Sequence, residues 1–236
     1  GESTRPGAEP VPLQEELDRV IPVIEGLAAR SDVPISIDTR HAAVMREAVA
    51  AGASFINDVS ALRGEDALET AAALAVPVCL MHMAGNPQTM QADVQYDDVL
   101  VQVRQFLTER IFACEMAGIA KKNIVIDPGC GFGKHLEHNL ALLANLEYFL
   151  QLGVPVLAGV SRKSMIGEIT GRKTHARAVG SAAAALLAAQ SGARILRVHD
   201  VAETQDALAV LAAVQAARRT DHSVKAKPAI QWPDED

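Results

Sequence analysis

Three short apolar runs in this chain end on side chains suited to recognising a flat, hydrogen-bonding ligand. They are Val33-Pro-Ile-Ser-Ile-Asp38, Ala53-Ser-Phe-Ile-Asn57 and Ile124-Val-Ile-Asp127. A carboxylate accepts two parallel N–H bonds, and an amide both donates and accepts. Together, Asp38, Asn57 and Asp127 suit a heterocycle with an amino group beside a ring N–H. Each alone also reads as the N-cap of a following helix. Ser161-Arg162-Lys163-Ser164 adds two cations and two hydroxyls behind Val154–Val160. Arg197 and His199 lie two residues apart, on one face of a strand. Inward charges at a strand end are costly unless they meet an anion, so with Lys163 and Lys134 they form a candidate phosphate or pyrophosphate site.

Three further residues carry possible chemistry. His82, between Met81 and Met83, reads as a packed core histidine. A metal held by His82, His199 and an aspartate has no HxH or HxxxH pair to support it. Cys130 sits in a glycine-rich turn, where exposure is expected, but no base accompanies it for a nucleophilic role. Lys163 at a strand end leaves Schiff-base chemistry open.

These residues need a scaffold that brings strand ends together. In Asp127-Pro-Gly-Cys-Gly-Phe-Gly-Lys134, Pro128 stops sheet pairing, and Gly129, Gly131 and Gly133 let the backbone approach a ligand. A buried strand emptying into such a turn before a helix is how parallel α/β folds present chemistry at their carboxyl edge. The alternation recurs as six strand–helix units, with helices expected at Leu13–Leu27, His41–Ala51, Ala67–Ala75, Tyr96–Gly118, Asn139–Leu152, Gly180–Gln190 and Glu203–Ala217. Regular alternation implies a parallel sheet covered by helices. An open doubly wound sheet and a (β/α)8 TIM barrel compete. No GxGxxG follows an early strand, and Gly129-Cys-Gly131-Phe-Gly133 has the wrong spacing. Polar ends on all six strands favour the barrel, with two further units expected upstream of Gly1. Residues 1–219 read as one domain and 220–236 as a polar tail.

Composition excludes some partners. The 236 residues are 49% hydrophobic and 22% charged, as in a soluble globular chain. A net charge of −7 and 3% aromatics argue against nucleic acid or an anionic membrane. Cys79, Cys114 and Cys130 are odd in number and widely spaced, which suits reduced thiols in the cytoplasm.

Taken together, these motifs resemble bacterial dihydropteroate synthase, of the pterin-binding barrel family. The resemblance rests on Gly1-Glu-Ser-Thr-Arg-Pro-Gly7, Ile37-Asp38-Thr39, Ile56-Asn57-Asp58, Met81-His82-Met83, Gly85–Met90, Asp127–Lys134, Ser161–Ser164 and Arg197-Val-His199, in order from Gly1 to about Ala217. It implies that p-aminobenzoate displaces pyrophosphate from 6-hydroxymethyl-7,8-dihydropterin diphosphate, giving dihydropteroate for folate synthesis. It also implies that Asp38, Asn57, Asp127 and Lys163 hold the pterin, while Arg197 and His199, with Thr4 and Arg5, hold the diphosphate. Pro6, Gly131, Phe132, Ser161, Arg162 and Ser164 would shape the p-aminobenzoate pocket, which sulfonamides also occupy. Lys163, Arg197 and His199 are the implied catalytic residues. Mg²⁺ is the implied cofactor, its usual asparagine ligand expected upstream of Gly1, and a homodimer the implied assembly.

Two departures stand out. The family's first strand, and its second with a pterin-facing aspartate, are not in this sequence. Cys130 stands where a bulkier apolar residue is common. The alternatives are the pterin domain of a methyltetrahydrofolate corrinoid methyltransferase, a non-catalytic pterin-binding relative and a Schiff-base aldolase. The first has no use for Ser161–Ser164 or the Ser3-Thr4-Arg5-Pro6 loop.

Overall fold

A computed structural model gives the fold and describes residues 1–5, 7–85 and 94–219, with side chains to residue 217. Pro6, most of the 85–90 motif and the 220–236 tail lie outside the described residues. Among the described residues six parallel strands run in sequence order, each followed by at least one helix. The strands are β1 (Ser36–Asp38), β2 (Phe55–Asp58), β3 (Val78–Met81), β4 (Ile124–Asp127), β5 (Leu157–Ala158) and β6 (Ile195–Leu196). Strands β1 to β4 form one ladder and β5 pairs β6. Ile126 joins the two by bridging Val156 and donating its N–H to the Pro155 carbonyl at 3.0 Å. Sequential parallel order with outer helices is the architecture of the (β/α)8 barrel, of which six units are present here.

The helices follow from apolar spacing and terminal chemistry. They are α1 (Leu13–Ala28), α2 (Ala42–Ala50), α3 (Ala67–Leu74), α4 (Val99–Met116), α5 (Leu136–Ala144), α6 (Glu147–Leu150), α7 (Ser164–Thr170), α8 (Ala178–Gln190) and α9 (Val201–Arg219). In α4, Val99, Val103, Leu107, Ile111 and Cys114 form the buried stripe. Its start shifts from the expected Tyr96 to Val99 because Asp98 caps it, accepting from the N–H groups of Leu100 and Val101 at 2.9 and 3.1 Å. The helix expected over Asn139–Leu152 starts earlier and divides at Asn145 and Leu146 into α5 and α6.

Strand alternation sorts side chains between two compartments. Ile37, Ile56, Val78, Leu80, Ile124 and Ile126 join the large core under the helices. Phe55, Cys79, Val125 and Leu157 form a separate cluster on the opposite, inner face. Two residues further toward the carboxyl ends, Asn57 and Asp127 replace the apolar side chains, while Met81 and Gly159 take the corresponding places on β3 and after β5.

Candidate active site

The parallel register sets Asp38 beside Asn57, so their side chains meet across two strands. Asn57 Nδ2 donates to Asp38 Oδ2 at 2.9 Å. Arg197, just after β6, reaches across the mouth. Its Nη1 donates to Asn57 Oδ1 at 3.3 Å and its Nη2 to Asp127 Oδ2 at 3.1 Å. Gly159 leaves room for this guanidinium, since a Cβ there would lie 2.7 Å from Arg197 Nη2. The other Asp127 oxygen accepts the Gly129 N–H at 2.7 Å. Asp38, Asn57, Asp127 and Arg197 therefore form one connected floor. None of the three acidic or amide groups caps a helix, which removes the ordinary reading of each.

Electrostatics follow burial. Asp127 and Asn57 are nearly inaccessible. Asp38 is open to the mouth, yet desolvation by the surrounding protein raises its pKa, opposed by Arg197. Burial works against the Arg197 charge, but the carboxylates of Asp127 and Asp38 outweigh it and leave its pKa above the usual value. Two of the five donors of its guanidinium are engaged in the floor.

Above the floor opens a cavity of about 1180 Å³. Its lining includes Thr4, Arg5, Asp38, Gly131, Phe132, Ser161, Arg162, Lys163, Ser164, Arg197 and His199. Every expected site residue among the described ones thus lies on the cavity or directly beneath it. Lys163 donates to the Cys130 carbonyl, and its ammonium sits 4.6 Å from the centre of the Phe132 ring. Burial lowers its pKa, while Asp127 supports its charge. Ser161 Oγ accepts the His199 N–H at 3.2 Å and lies 3.0 Å from His199 Nδ1. Arg162 pairs with Asp200 through Nε and Nη2, one to each carboxylate oxygen. The loop carrying Thr4 and Arg5 is moored by Glu2, whose carboxylate accepts from Arg40 Nε at 2.8 Å and from the Val11 N–H at 3.1 Å.

Two expectations are corrected. Lys134 lines the cavity with the other expected cations, but its ammonium is not turned toward the open space. Its ammonium is folded under the glycine turn, donating to the carbonyls of Gly129 and Phe132 at 2.9 and 3.0 Å and lying 2.9 Å from His82 Nδ1. Burial brings its pKa down to about 7. Cys130 is buried rather than exposed, and desolvation raises its thiol pKa. His82 is the packed histidine expected: buried, edge-on to Phe106, and pushed down to about 2 by burial and Lys134.

The turn itself fixes its glycines. Gly129 has φ +71°, and a Cβ there would run into the His82 carbonyl oxygen. Gly131 has φ +84°, and its Cβ would lie 3.0 Å from Lys163 Cδ. Sequence reasoning missed Gly159, Glu2, Arg40, Ser181 and Asp200. Only Gly159 left a local signal, since glycine within a strand often marks a close approach.

Residues 1–199 match the family described as pterin binding enzyme. The dihydropteroate synthase of Haemophilus influenzae is 55% identical over 210 residues, 89% of this chain and 76% of that protein. The Yersinia pestis dihydropteroate synthase, solved with a sulfonamide drug complex, superposes with TM-score 0.90 at 50% identity, over 92% of this chain and 78% of that one. The Xanthomonas albilineans enzyme with 4-aminobenzoic acid gives TM-score 0.88 at 60% identity, over 92% and 77%. With the polar floor and its cavity, these likenesses lead to one conclusion: the chain belongs to the pterin-binding enzymes, as one of their dihydropteroate synthases.

Proposed function

We propose that the floor of Asp38, Asn57 and Asp127, with Lys163 beside it, holds the pterin of 6-hydroxymethyl-7,8-dihydropterin diphosphate. The carboxylates and amide match the ring's amino and N–H groups. Arg197 and His199, with Thr4 and Arg5, receive the diphosphate. Gly131, Phe132, Ser161, Arg162 and Ser164 shape the p-aminobenzoate pocket, and Pro6 is assigned there by resemblance. Lys163, Arg197 and His199 act as the catalytic groups.

The enzyme condenses these substrates to 7,8-dihydropteroate and pyrophosphate. The bond between the methylene carbon and the diphosphate oxygen breaks. A bond from the arylamine nitrogen to that carbon forms, and the amine proton leaves to the diphosphate or to water. The electron-rich pterin stabilises positive charge at the carbon, so the protein's task is positioning and support of the leaving anion. No protein nucleophile is required.

The observation that carries this reading is the hydrogen-bonded chain Asp38–Asn57–Arg197–Asp127 beneath a cavity edged by Lys163 and Arg5. Asp127→Asn tests it in the full-length protein. Calorimetric titration should show a pterin analogue bound more weakly by on the order of 2–4 kcal/mol, with p-aminobenzoate affinity nearly unchanged. Undiminished pterin affinity would return Asp127 to a purely structural role.

Sulfonamides are expected to compete at the p-aminobenzoate pocket. Mg²⁺ rests on the resemblance alone: among the described residues no group of three or more His, Cys, Asp or Glu is placed to hold a metal, and no step here passes through one. One continuous core runs from α1 to α8 and α9 packs against α8, which supports a single domain over residues 1–219. For the proposed homodimer, exposed Val179, Leu187, Val210 and Val214 on α8 and α9 offer apolar surface. A cytoplasmic setting agrees with three free, buried cysteines. Among the described residues no helix is long and apolar enough to cross a membrane.

A further inference from the structure

The turn that carries Lys163 into the mouth is gripped from behind by a residue without a place in the reading above. Arg162 has φ +55°, in the left-handed region that L side chains avoid. Such a conformation persists only where the surroundings hold it. Here the Arg162 N–H donates to Ser181 Oγ at 2.9 Å. The carbonyls of Arg162 and Lys163 both accept from Arg177 Nη1, at 3.0 and 3.1 Å. Arg177 Nε donates to the Arg172 carbonyl at 2.9 Å, and Ser181 Oγ donates back to the Arg177 carbonyl at 2.7 Å. The guanidinium lies over Gly167, where a Cβ would collide with it.

Among the described residues no carboxylate forms an ion pair with Arg177. Its side-chain partners are main-chain carbonyls, from the turn before α7 and from the segment leaving it. A planar fork directed at carbonyls fixes geometry more than it balances charge. Lysine, a compact charge with three rotatable donors on a flexible stem, cannot reproduce that planar fork.

We propose that Arg177 is a positioning residue for the transfer reaction. By holding the carbonyls of Arg162 and Lys163, it keeps the left-handed turn and so sets the direction in which Lys163 leaves the backbone. That direction places the ammonium between the Phe132 ring and the Cys130 carbonyl, at the cavity. Gly167 belongs to the same device, since its missing side chain is the slot in which the guanidinium lies. The proposal rests on the role given to Lys163 above.

The test is a double-mutant cycle in the full-length protein. Arg177→Ala should lower kcat/KM for p-aminobenzoate by about tenfold to a hundredfold, the scale of a displaced catalytic group. Gly167→Ala should fall in the same direction by evicting the guanidinium. Added guanidinium ion at low millimolar concentration should restore part of the turnover of Arg177→Ala and none of that of Lys163→Ala. In Arg177→Ala/Lys163→Ala the two losses should not add, because the first acts through the second. If Arg177→Ala does not fold, Arg177→Lys takes its place in the cycle. Full additivity, or unchanged kcat/KM in the Arg177 variant while Lys163→Ala is impaired, overturns this proposal alone. A neutral Lys163→Ala overturns the role of Lys163, and this proposal with it.

Discussion

Two turns at the mouth of this barrel each bring a lysine to a strand end, and they use it in opposite ways. After β4, the glycine turn folds Lys134 inward. Its ammonium meets two carbonyls of its own turn and the ring of His82, and burial holds its pKa at about 7. After β5, the Ser161–Ser164 turn sends Lys163 to the cavity, where it touches the Cys130 carbonyl and the face of Phe132. The glycine turn is held from inside by its lysine. The β5 turn is held from outside by Arg177, Ser181 and Asp200, which leaves its lysine to the site. A cation near a strand end is therefore not by itself a ligand group. What decides is whether the turn needs that cation for its own carbonyls.

The largest expected effect is on Lys163. Lys163→Ala should lower kcat for pyrophosphate release by about 10²–10³-fold, as for other positioned groups at a developing charge. Thermal unfolding of the same variant should move by only a few degrees. A large stability loss with near-normal turnover per folded molecule would erase the contrast.

Lys134→Met should do the reverse. The carbonyls of Gly129 and Phe132 lose a buried donor, so the variant should be destabilised by about 2–4 kcal/mol in urea unfolding. Turnover per folded molecule should fall far less than in Lys163→Ala. Loss of turnover without loss of stability would move Lys134 into the reaction.

The same buried amine gives a pH signature. Its folded pKa, at about 7, lies below the ordinary 10.5, so between those values the unfolded chain binds the extra proton. Stability must then rise with pH across that window, and the penalty for charging Lys134 is fully present below it. Urea unfolding at pH 6.5 and 9.5 should show wild type gaining on the order of 2 kcal/mol from this group. Lys134→Met should lack that gain, and an identical slope in both proteins would refute the assignment.

The smallest effect concerns the ring beneath Lys163. Phe132→Leu keeps apolar bulk but removes the cation–π contact, worth about 0.5–2 kcal/mol. KM for p-aminobenzoate should rise about two- to tenfold, with kcat changed less. An unchanged KM would leave Lys163 held by the Cys130 carbonyl alone.

Strand ends were the most legible part of the sequence. β-branched apolar runs ending on Asp38, Asn57 and Asp127 needed no distant partner to be read. Two-residue spacing likewise put Arg197 and His199 on the same side, and both line the cavity. The direction of Lys134 was not legible, because spacing near a glycine turn does not say which carbonyls lack donors. Cys130 was misplaced for a related reason: a glycine-rich turn suggests exposure, yet Cys130 joins the large core and Gly129 lies close against the His82 carbonyl. Arg177 and Ser181 escaped entirely, since their bonds to the turn span fourteen to nineteen residues and carry no periodicity. The cap at Asp98 and the break at Asn145 use residues with known terminal preferences, and only the exact boundaries were lost.

The main-chain wall at Gly129 and Gly131 limits how such an enzyme could escape an inhibitor. A sulfonamide bound in the proposed p-aminobenzoate pocket would rest partly against the backbone of this turn. A side chain at Gly129 would strike the His82 carbonyl, and one at Gly131 would press on Lys163 while holding a strained φ. Resistance must therefore be sought in neighbours whose side chains border the cavity without carrying its framework, such as Thr4, Phe132 and Ser164. Selection under the drug should return changes there or in the loop moored by Glu2, and leave the two glycines untouched.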